Sequence, residues 1–420
     1  MNLSLRQPRS QNPAGDPAPV TAPPRAAAEE AAQLAGTSLE GARISIYAAF
    51  EACEEVWRRA VEDCACYVFQ SFEWQSIWYA TLGSARNARA CIVHVADRDS
   101  RTLMLLPLGI FQRSGIHILQ FLGSDPTDYN APVIDARFAR EVTPADFQKL
   151  WDAILKRLPG FDLVWLRRMP ETIEGIRNPL ISLPGTAHAN DAYGATLPDN
   201  FEAFKATRSS AFFKQSRRKW RRLKDRGRVD LGVATDTAEA VELLKILARQ
   251  KARRWKETGV GDAFTLVPGF FAFYEGITKA SFQTGSVHVT ALRVDDQVVA
   301  TDWGLVFKGR FYSLMAGYES GEWARYSVGR LLLESVVTWC IEEPGIDIFD
   351  LTVGGESYKG DWADHSLRLY DYLASRTLRG AVFSGAHQMR EKLRKSPHIR
   401  TIRRILKGRR GAAHADSSED

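Results

Sequence analysis

Two spacings of apolar residues alternate along the chain, and together they predict an α/β protein. Apolar residues three or four positions apart are typical of a helix with one buried face, whereas alternating or continuous apolar runs between turn residues are typical of strands. In the first part of the chain, helices are predicted over residues 50–66, 71–82 and 144–158, and strands over residues 90–96, 102–111, 116–122 and 163–167. These elements form one α/β block.

The same succession recurs after residues 178–194, a segment punctuated by Pro and Gly that we interpret as a connection. Helices are predicted over residues 201–226, 237–257, 268–283 and 327–341, and strands over residues 286–294, 297–307, 310–316, 346–351 and 367–374. In both blocks helices precede a three-stranded meander, which is followed by a helix and a strand. This order indicates an internal duplication.

The two ends of the chain differ from its middle. Six of the 18 prolines fall in the first 24 residues, within an Ala/Pro-rich stretch that cannot offset its ordering entropy by burying a core. We therefore expect a disordered segment over residues 1–41 and two domains over residues 42–190 and 191–380. A basic C-terminal helix over residues 381–410 and a disordered tail over residues 411–420 should follow.

The composition of the chain indicates a globular protein and argues against a membrane-spanning or secreted one. With 420 residues, of which 45% are hydrophobic, the chain can bury a large core. It has no apolar run long enough for a membrane-spanning helix, and its start, MNLSLRQPRS, lacks the apolar segment of a secretory signal. The five cysteines form no CxxC pair. We expect a cytoplasmic protein with reduced, buried thiols, no metal site and no permanently bound cofactor.

Basic residues are concentrated in two stretches. Residues 205–228 hold eleven Lys and Arg against Asp225, and residues 390–410 hold ten against Glu391, although the whole chain carries only +6. Helical spacing places five of them on one face, with apolar residues behind: Lys214, Arg217, Arg218, Arg221 and Arg222. Such a ridge can hold CoA phosphates, an anionic glycan, lipid head groups or tRNA, or it can be a solvated helix face.

The segment over residues 312–359 is the best candidate for a ligand site. A strand leads through a polar loop into a helix with Ser327 as its expected N-cap, and a helix start of this kind binds phosphate. Gly329 allows close approach to the backbone, and Arg325 and Arg330 add positive charge. An ordinary helix start after a loop is the alternative.

Two polar loops follow apolar strands and are candidates to bind a substrate. In the first block the loop SDPTDYN carries Asp128 and Tyr129, and it can line an acceptor cleft or simply form a turn. In the second block the loop TVGGESYKGDW carries Lys359 and Trp362 after a strand end, where crevices of α/β sheets form. Lys359 can bind a phosphate or a carboxylate there.

Four motifs occur in a characteristic order over residues 69–379, namely QFLGSDPTDYNAPVI, SRRKWRRLKDRG, YSVGRLLLE and GGESYKGDW. With them the chain resembles the CelD/BcsL family of GNAT-type acyltransferases, which is associated with bacterial cellulose and other envelope polysaccharide biosynthesis. The resemblance implies a tandem GNAT fold with two mixed sheets flanked by helices, distantly similar to Fem-type aminoacyltransferases. It also implies acetyl-CoA or another acyl-CoA as co-substrate.

The resemblance further implies where the donor lies. In GNAT folds the CoA diphosphate rests on the helix start that corresponds here to Arg325, Tyr326, Ser327, Val328, Gly329 and Arg330. The usual signature, Q/R-x-x-G-x-G/A, is matched only by Gly329. This departure motivates an alternative, a protein without catalysis that serves as a component of a polysaccharide synthase.

Acyl transfer needs a proton acceptor, a donor to the oxyanion and an acid for the leaving thiolate. Candidate bases are Asp302, Glu319, Asp350 and Glu356, and Tyr358 or Tyr326 can protonate the sulfur. Simpler interpretations are open for these residues. Asp302 can form an ion pair with a neighbouring arginine, Glu319 can lie in solvent, and Tyr358 can pack in the core. The resemblance implies that the splayed strands of a GNAT core, here over residues 311–316 and 346–351, offer a free backbone N–H for the oxyanion.

These observations lead to a functional expectation with open alternatives. We expect an acyl-CoA-dependent transferase that acylates an amine or hydroxyl of a saccharide or envelope precursor, in cellulose or exopolysaccharide biosynthesis. An aminoacyl-tRNA-dependent transferase is the alternative within enzymes, for which the basic helix is the supporting feature. Peripheral association with an anionic membrane is compatible with either.

Overall fold

The computed structural model describes residue 34, residues 39–259 and residues 261–395. The expected disordered segment 1–41 therefore lies outside the described residues except at its end, as do the tail over 411–420 and the part of the basic helix after Lys395. Within the described ranges, no helix has the length and apolarity to cross a membrane.

The strands agree closely with the predictions except at three places. In chain order they are β1 Arg43–Tyr47, β2 Arg89–Ala96, β3 Thr102–Arg113, β4 Ile116–Phe121, β5 Val133–Ile134, β6 Leu163–Pro170, β7 Thr172–Ile173, β8 Ile176–Arg177, β9 Ala187–Thr196, β10 Val229–Val233, β11 Val287–Val294, β12 Gln297–Phe307, β13 Arg310–Tyr318, β14 Ile348–Val353 and β15 His365–Ser375. The unforeseen long strands are β1, β9 and β10.

The α-helices flank these strands. In chain order they are α1 Glu54–Asp63, α2 Phe72–Trp78, α3 Ala136–Glu141, α4 Pro144–Arg157, α5 Phe201–Ala206, α6 Ser210–Lys224, α7 Thr237–Thr258, α8 Ala263–Leu266, α9 Phe270–Ser281, α10 Val328–Glu342, α11 Lys359–Trp362 and α12 Leu378–Lys395. Thr143 caps α4 as predicted, because its side chain accepts a hydrogen bond from the Asp146 amide. The single helix predicted over residues 201–226 is instead two helices, α5 and α6.

Thirteen of the described strands form one mixed sheet. Its order is β1, β2, β3, β4, β6, β15, β9, β14, β13, β12, β11 and β10, with β5 paired to β3 at the side. Each half repeats an antiparallel meander followed by a helix and a strand parallel to the last meander strand, β6 beside β4 and β14 beside β13. This duplicated α/β architecture is the predicted tandem GNAT fold, although its two expected sheets are joined into one.

Strands β9 and β15 make the join. β9 pairs with β14 on one side and with β15 on the other, and β15 pairs with β6 of the first half. The predicted connection over residues 178–194 is therefore largely a strand, and the expected domain boundary between residues 190 and 191 falls inside β9. The backbone polar groups of the two halves satisfy each other across this seam.

The largest hydrophobic core also crosses the seam. Trp74 of α2 packs edge-to-face on Phe273 of α9 with ring centroids 4.8 Å apart, and Phe69 meets Tyr312 of β13 at 5.5 Å. Aromatic pairs in this geometry contribute beyond their buried area. Continuous packing of this kind fixes the position of each half relative to the other.

Candidate active site

The two parallel strand pairs separate after a few residues, and only one of the gaps is filled by the chain itself. In the first half, β4 and β6 pair at Ile118 and Leu119 and then diverge. Asn130 fills that gap: its amide donates to the Arg168 carbonyl at 3.0 Å and its side-chain Nδ2 to the Arg167 carbonyl at 2.9 Å. In the first-half gap, the carbonyls of Arg167 and Arg168 are therefore already bonded to the chain itself.

In the second half, β13 and β14 pair through Arg310, Phe311 and Tyr312 and then diverge. Beyond this point β13 pairs only with β12, and β14 pairs only with β9. The edge of β13 from Ser313 onward therefore has backbone groups that face the gap without a strand partner. A substrate with its own amide groups can hydrogen-bond there.

Asp302 of β12 contacts the strand that borders this gap. Its Oδ2 accepts a hydrogen bond from Ser313 Oγ at 3.2 Å, and Ser313 is the first residue of β13 after the pairing with β14 ends. The carboxyl is 1% exposed, and its Oδ1 has no hydrogen-bond partner among the residues that the structure describes. Burial raises the pKa of Asp302 to about 7, against the opposing effects of Ser313 and the Lys251 ammonium.

Charged and phenolic groups surround Asp302. Burial lowers the pKa of Lys251, and the carboxylates of Glu356 and Asp302 oppose that shift. Burial together with the charges of Glu356 and Asp302 raises the pKa of Tyr358 to about 12, although its side chain is about half exposed. The neutral phenol of Tyr358 therefore remains a proton donor across the physiological pH range.

The start of α10 differs from the predicted cap. Ser327 has a left-handed backbone, with φ 54°, and its side chain caps no helix amide. Instead Ser327 Oγ accepts a hydrogen bond from Lys219 Nζ of α6 at 2.8 Å, and the same ammonium donates to the Arg325 carbonyl at 2.9 Å. Burial and the neighbouring guanidinium groups of Arg330, Arg222 and Arg218 lower the pKa of Lys219. The cations gathered at this helix start favour an anion.

The remaining residues of the predicted donor site have different surroundings. Gly329 lies against Tyr318, because a Cβ at this position would come within 2.7 Å of its ring. Arg330 is held by α6: its Nη1 donates to Gln215 at 2.7 Å and its guanidinium lies 3.6 Å over the Phe212 ring. The side chains of Tyr326 and Val328 are buried in the core. Only Arg325 remains exposed beside its neighbour's ring.

A second polar cluster joins the two halves. Asp350, at the end of the β13–β14 pairing, accepts hydrogen bonds from Tyr129 Oη at 2.6 Å, from Arg310 at 3.0 Å and from the Thr352 amide at 2.8 Å. Its side chain is 2% exposed. Both carboxylate oxygens are thus occupied by structural partners. Asp350 is therefore less suited than Asp302 to accept a proton from a substrate.

Asp128 and Lys359 lie near this cluster. Burial raises the pKa of Asp128 to about 6, opposed by Arg168 at 3.6 Å, by the Thr352 side chain and by Lys359. Lys359 is 4% exposed, and its Nζ donates to the Val353 carbonyl at 2.8 Å and pairs with Glu356 at 3.2 Å. Residues from both predicted loops therefore meet at the diverging end of β14.

Other predicted residues lie elsewhere. Glu319 is not in solvent, because it pairs with Arg253 and accepts a hydrogen bond from Gln250. Trp362 is 1% exposed and packs on Phe212 of α6 with ring centroids 5.1 Å apart, which argues against the predicted contact with a substrate. Arg217 and Arg218 are exposed on α6. Arg217 lines a groove of about 650 Å³ between α6 and β10.

Four residues of the site were not among the predictions: Lys219, Lys251, Arg310 and Ser313. Lys219 belongs to the basic helix but points to the other side of it from the exposed ridge, toward α10. Ser313 and Arg310 lie on a strand whose sequence, RFYSLMAGY, gives no sign of where it leaves its neighbour. Their roles follow from strand pairing, which periodicity does not reveal.

The geometry agrees with a comparison against protein families. Residues 210–360 match the family described as "Acetyltransferase (GNAT) domain". The matched range runs from α6 to α11 and includes the β13–β14 gap, Asp302 and the start of α10. No curated protein sequence matches the chain significantly.

Solved structures share the architecture of the chain at low identity. The crystal structure of FemX is similar with a TM-score of 0.54 and 10% identity, over 76% of this chain and 96% of that one. L-PGS from Bacillus licheniformis has a TM-score of 0.45 and 12% identity over 78% and 94% of the two chains. A tandem GNAT protein from the clavulanic acid biosynthesis pathway has a TM-score of 0.41 and 10% identity, over 80% of this chain and 98% of that one. At this identity the likeness to FemX concerns the fold alone.

Proposed function

We propose that this chain transfers an acyl group from acyl-CoA to an amine or hydroxyl, at the gap between β13 and β14. The observation that carries the proposal is the Asp302 carboxyl, which is buried beside Ser313 of β13, has one oxygen without a partner among the described residues, and has a pKa of about 7. A general base works best when its pKa lies near the working pH. Glu319 and Asp350 are committed to structural partners, so Asp302 is the preferred base among the candidates.

We assign the donor's diphosphate to the start of α10. The α10 dipole and the Lys219 ammonium supply positive potential there, and the exposed Arg325 adds a cation at the rim. An ammonium held at the positive end of a helix is unfavourable until an anion joins it, and binding of a diphosphate offsets that repulsion. From this point the pantetheine arm runs along the unpaired edge of β13.

The chemistry follows from the groups around the gap. The acceptor's nitrogen or oxygen attacks the thioester carbonyl, and Asp302 takes up the proton that the acceptor loses. A free amide of β13 after Tyr312 stabilises the oxyanion of the tetrahedral intermediate. When the carbon–sulfur bond breaks, Tyr358 protonates the leaving thiolate, and the proton that Asp302 took from the acceptor returns through solvent to the tyrosinate, which restores both groups. The acylated acceptor and free CoA are the products.

The acceptor approaches from the seam between the halves in this proposal. Asp128 and Lys359 offer a carboxyl and an ammonium at the diverging end of β14, whereas the predicted contact of Tyr129 with a substrate is not supported, because its buried hydroxyl is bonded to Asp350. Hydroxyl- and amine-bearing molecules suit such a lining. That the acceptor is a saccharide or envelope precursor, in cellulose or exopolysaccharide biosynthesis, rests on the resemblance to the CelD/BcsL family.

Calorimetric titration with acetyl-CoA and with CoA tests the donor. We expect saturable binding of both, together with thiol release from acetyl-CoA when candidate amino sugars are added. An Asp302→Asn variant should keep CoA binding and lose thiol release. Absence of heat with either compound, with the fold intact by circular dichroism, would overturn the proposal and favour a non-catalytic component of a synthase.

A second candidate function is transfer from aminoacyl-tRNA. It is favoured by the exposed cations of α6, of which Lys214, Arg217 and Arg221 have no counter-ion among the described residues. Retention of charged tRNA on the immobilised protein, falling steeply with salt, would support it. A matched Arg217→Gln, Arg221→Gln variant should then lose tRNA while retaining any affinity for CoA.

A further inference from the structure

Helix α12 packs on the sheet by one face and leaves an apolar stripe on the opposite face. Phe383 joins the small core formed by Ile118, Leu163 and Trp165, and the His387 ring lies 4.5 Å from that of Trp165. Gly380 allows close contact, because a Cβ there would come within 2.1 Å of the Asp162 carbonyl. The orientation of α12 is therefore fixed by the sheet.

The opposite face carries three large apolar side chains. Leu378 is 88% exposed, Val382 is 74% exposed and Met389 is 60% exposed. Positions 378, 382, 385 and 389 recur at spacings of four, three and four residues, so they form one stripe along the helix, with Gly385 between the larger residues. An exposed stripe of large apolar residues on a well-anchored helix marks an interaction surface.

The charged residues around the stripe are mostly basic. Arg379 and Arg390 are exposed beside it, and Glu391 is the only acid in the sequence from Leu378 to Arg410. The sequence immediately after the stripe continues with Lys392, Arg394 and Lys395. An apolar stripe with basic flanks complements a surface that offers hydrocarbon below a layer of negative charge.

We propose that the outer face of α12 docks the protein on an anionic lipid bilayer, with Leu378, Val382 and Met389 below the head groups and Arg379 and Arg390 among them. A bilayer accommodates a convex helix without a complementary groove. A second copy of the chain fits less well, because a symmetric contact would bring the two sets of basic side chains together. This docking does not depend on the proposed acyl transfer. If both are correct, the docked protein would meet lipid-linked or membrane-produced acceptors.

Sedimentation of the full chain with vesicles tests this docking. We expect binding to phosphatidylcholine vesicles that contain about one-third phosphatidylglycerol, and weak binding to phosphatidylcholine alone. Raising NaCl to about 1 M, where the Debye length is about 3 Å, should weaken the binding at least tenfold. No binding to the anionic vesicles would overturn the proposal.

Two matched variants distinguish vesicle binding through the stripe from non-specific binding through any exposed apolar side chain. The triple variant L378Q/V382Q/M389Q should bind anionic vesicles at least tenfold more weakly, with an unchanged melting curve because all three side chains are exposed. Leu266→Gln removes another exposed leucine, 68% exposed on α8, and should bind as the unaltered protein does. Equal binding by the triple variant would rule the stripe out. If light scattering showed a dimer that only the triple variant dissociates, the stripe would be a subunit contact and not a membrane surface.

Discussion

Tyr129 donates a 2.6 Å hydrogen bond to Asp350, and the bond joins a loop of the first half to the diverging strand of the second. Both side chains are buried, so water is not at hand to replace either partner. The same carboxylate receives Arg310 and the Thr352 amide. The shape of the strand gap therefore depends on a residue more than two hundred positions away from it.

Tyr129→Phe should destabilise the protein by about 2 kcal/mol, because a buried hydrogen bond to a charged acceptor is lost while the carboxylate stays buried. The midpoint of urea unfolding measures this change. Tyr67→Phe is the matched control, since Tyr67 donates at 2.8 Å to the neutral carbonyl of Thr172. It should lose about 1 kcal/mol. Equal losses in the two variants would contradict the special role of Asp350.

Asp302→Asn should remove the rising limb of the pH–rate profile. In the unaltered enzyme, kcat/KM should increase as pH rises through about 7, because the base must lose its proton before it can accept another. The variant should be at least about 100-fold slower and lack this limb. Glu319→Gln is the comparison, and it should keep the limb. If Glu319→Gln removed the limb and Asp302→Asn did not, the two assignments would have to be exchanged.

The same carboxyl should make folding stability depend on pH. Asp302 keeps its proton to about pH 7 in the folded protein, whereas in the unfolded chain it ionises near pH 4. Between these values the folded state holds the extra proton, so stability falls as pH rises, by about 1.4 kcal/mol per unit. The Asp302→Asn variant does not lose stability in this way, because its amide does not ionise. Its stability relative to the unaltered protein should be greater at pH 8 than at pH 5, and an identical difference at both would refute the buried acid.

Lys359→Met should impair acyl transfer more than stability alone explains. The variant keeps the aliphatic stem but removes the ammonium that donates to the Val353 carbonyl and pairs with Glu356. We expect a fall in kcat/KM of about 100-fold, measured by thiol release. Lys308→Met is the control, because Lys308 also donates to a backbone carbonyl, that of Cys64, and lies near Glu174. A similar loss of activity in both variants would indicate general destabilisation.

Lys219→Gln should weaken CoA binding about tenfold in calorimetry, since one charge-assisted contact to the diphosphate is lost. Lys224→Gln changes an exposed lysine of the same helix that lines the groove beside β10 instead of the start of α10. Its affinity for CoA should remain within about twofold. Equal weakening by the two substitutions would mean that α6 acts only through its overall charge.

Regular periodicity made much of the fold predictable. Strand β12 runs from Gln297 to Phe307 as predicted, and α7 differs from its predicted bounds by one residue. The failures have local causes. β9 was not predicted because its sequence includes polar residues such as Asn190 and Asp191 and lacks a regular apolar alternation. β10, with Asp230 and Gly232 in five residues, lacks strand propensity and depends on β11 for its conformation.

The candidate site was predictable in its chemistry but less so in its geometry. The loops that carry Asp128 and Lys359 were recognised from polar residues after apolar strands, and the structure brings them together. Ser327 was expected to cap α10, yet its left-handed backbone turns the side chain toward Lys219. No local pattern encodes that contact, because it depends on how α6 crosses α10. The choice of Asp302 over the other acids likewise needed burial and a missing partner, which only tertiary structure supplies.

The position of β15 has a consequence for co-translational folding. β6 is translated early, but its neighbour toward the middle of the sheet is β15, the last strand described. Until that late segment emerges, the nascent first half exposes an unsatisfied edge of Val, Leu and Trp residues, a surface on which chaperones act and on which unfinished chains stick to one another. Premature termination before β15 should therefore yield insoluble fragments and not a free-standing amino-terminal domain.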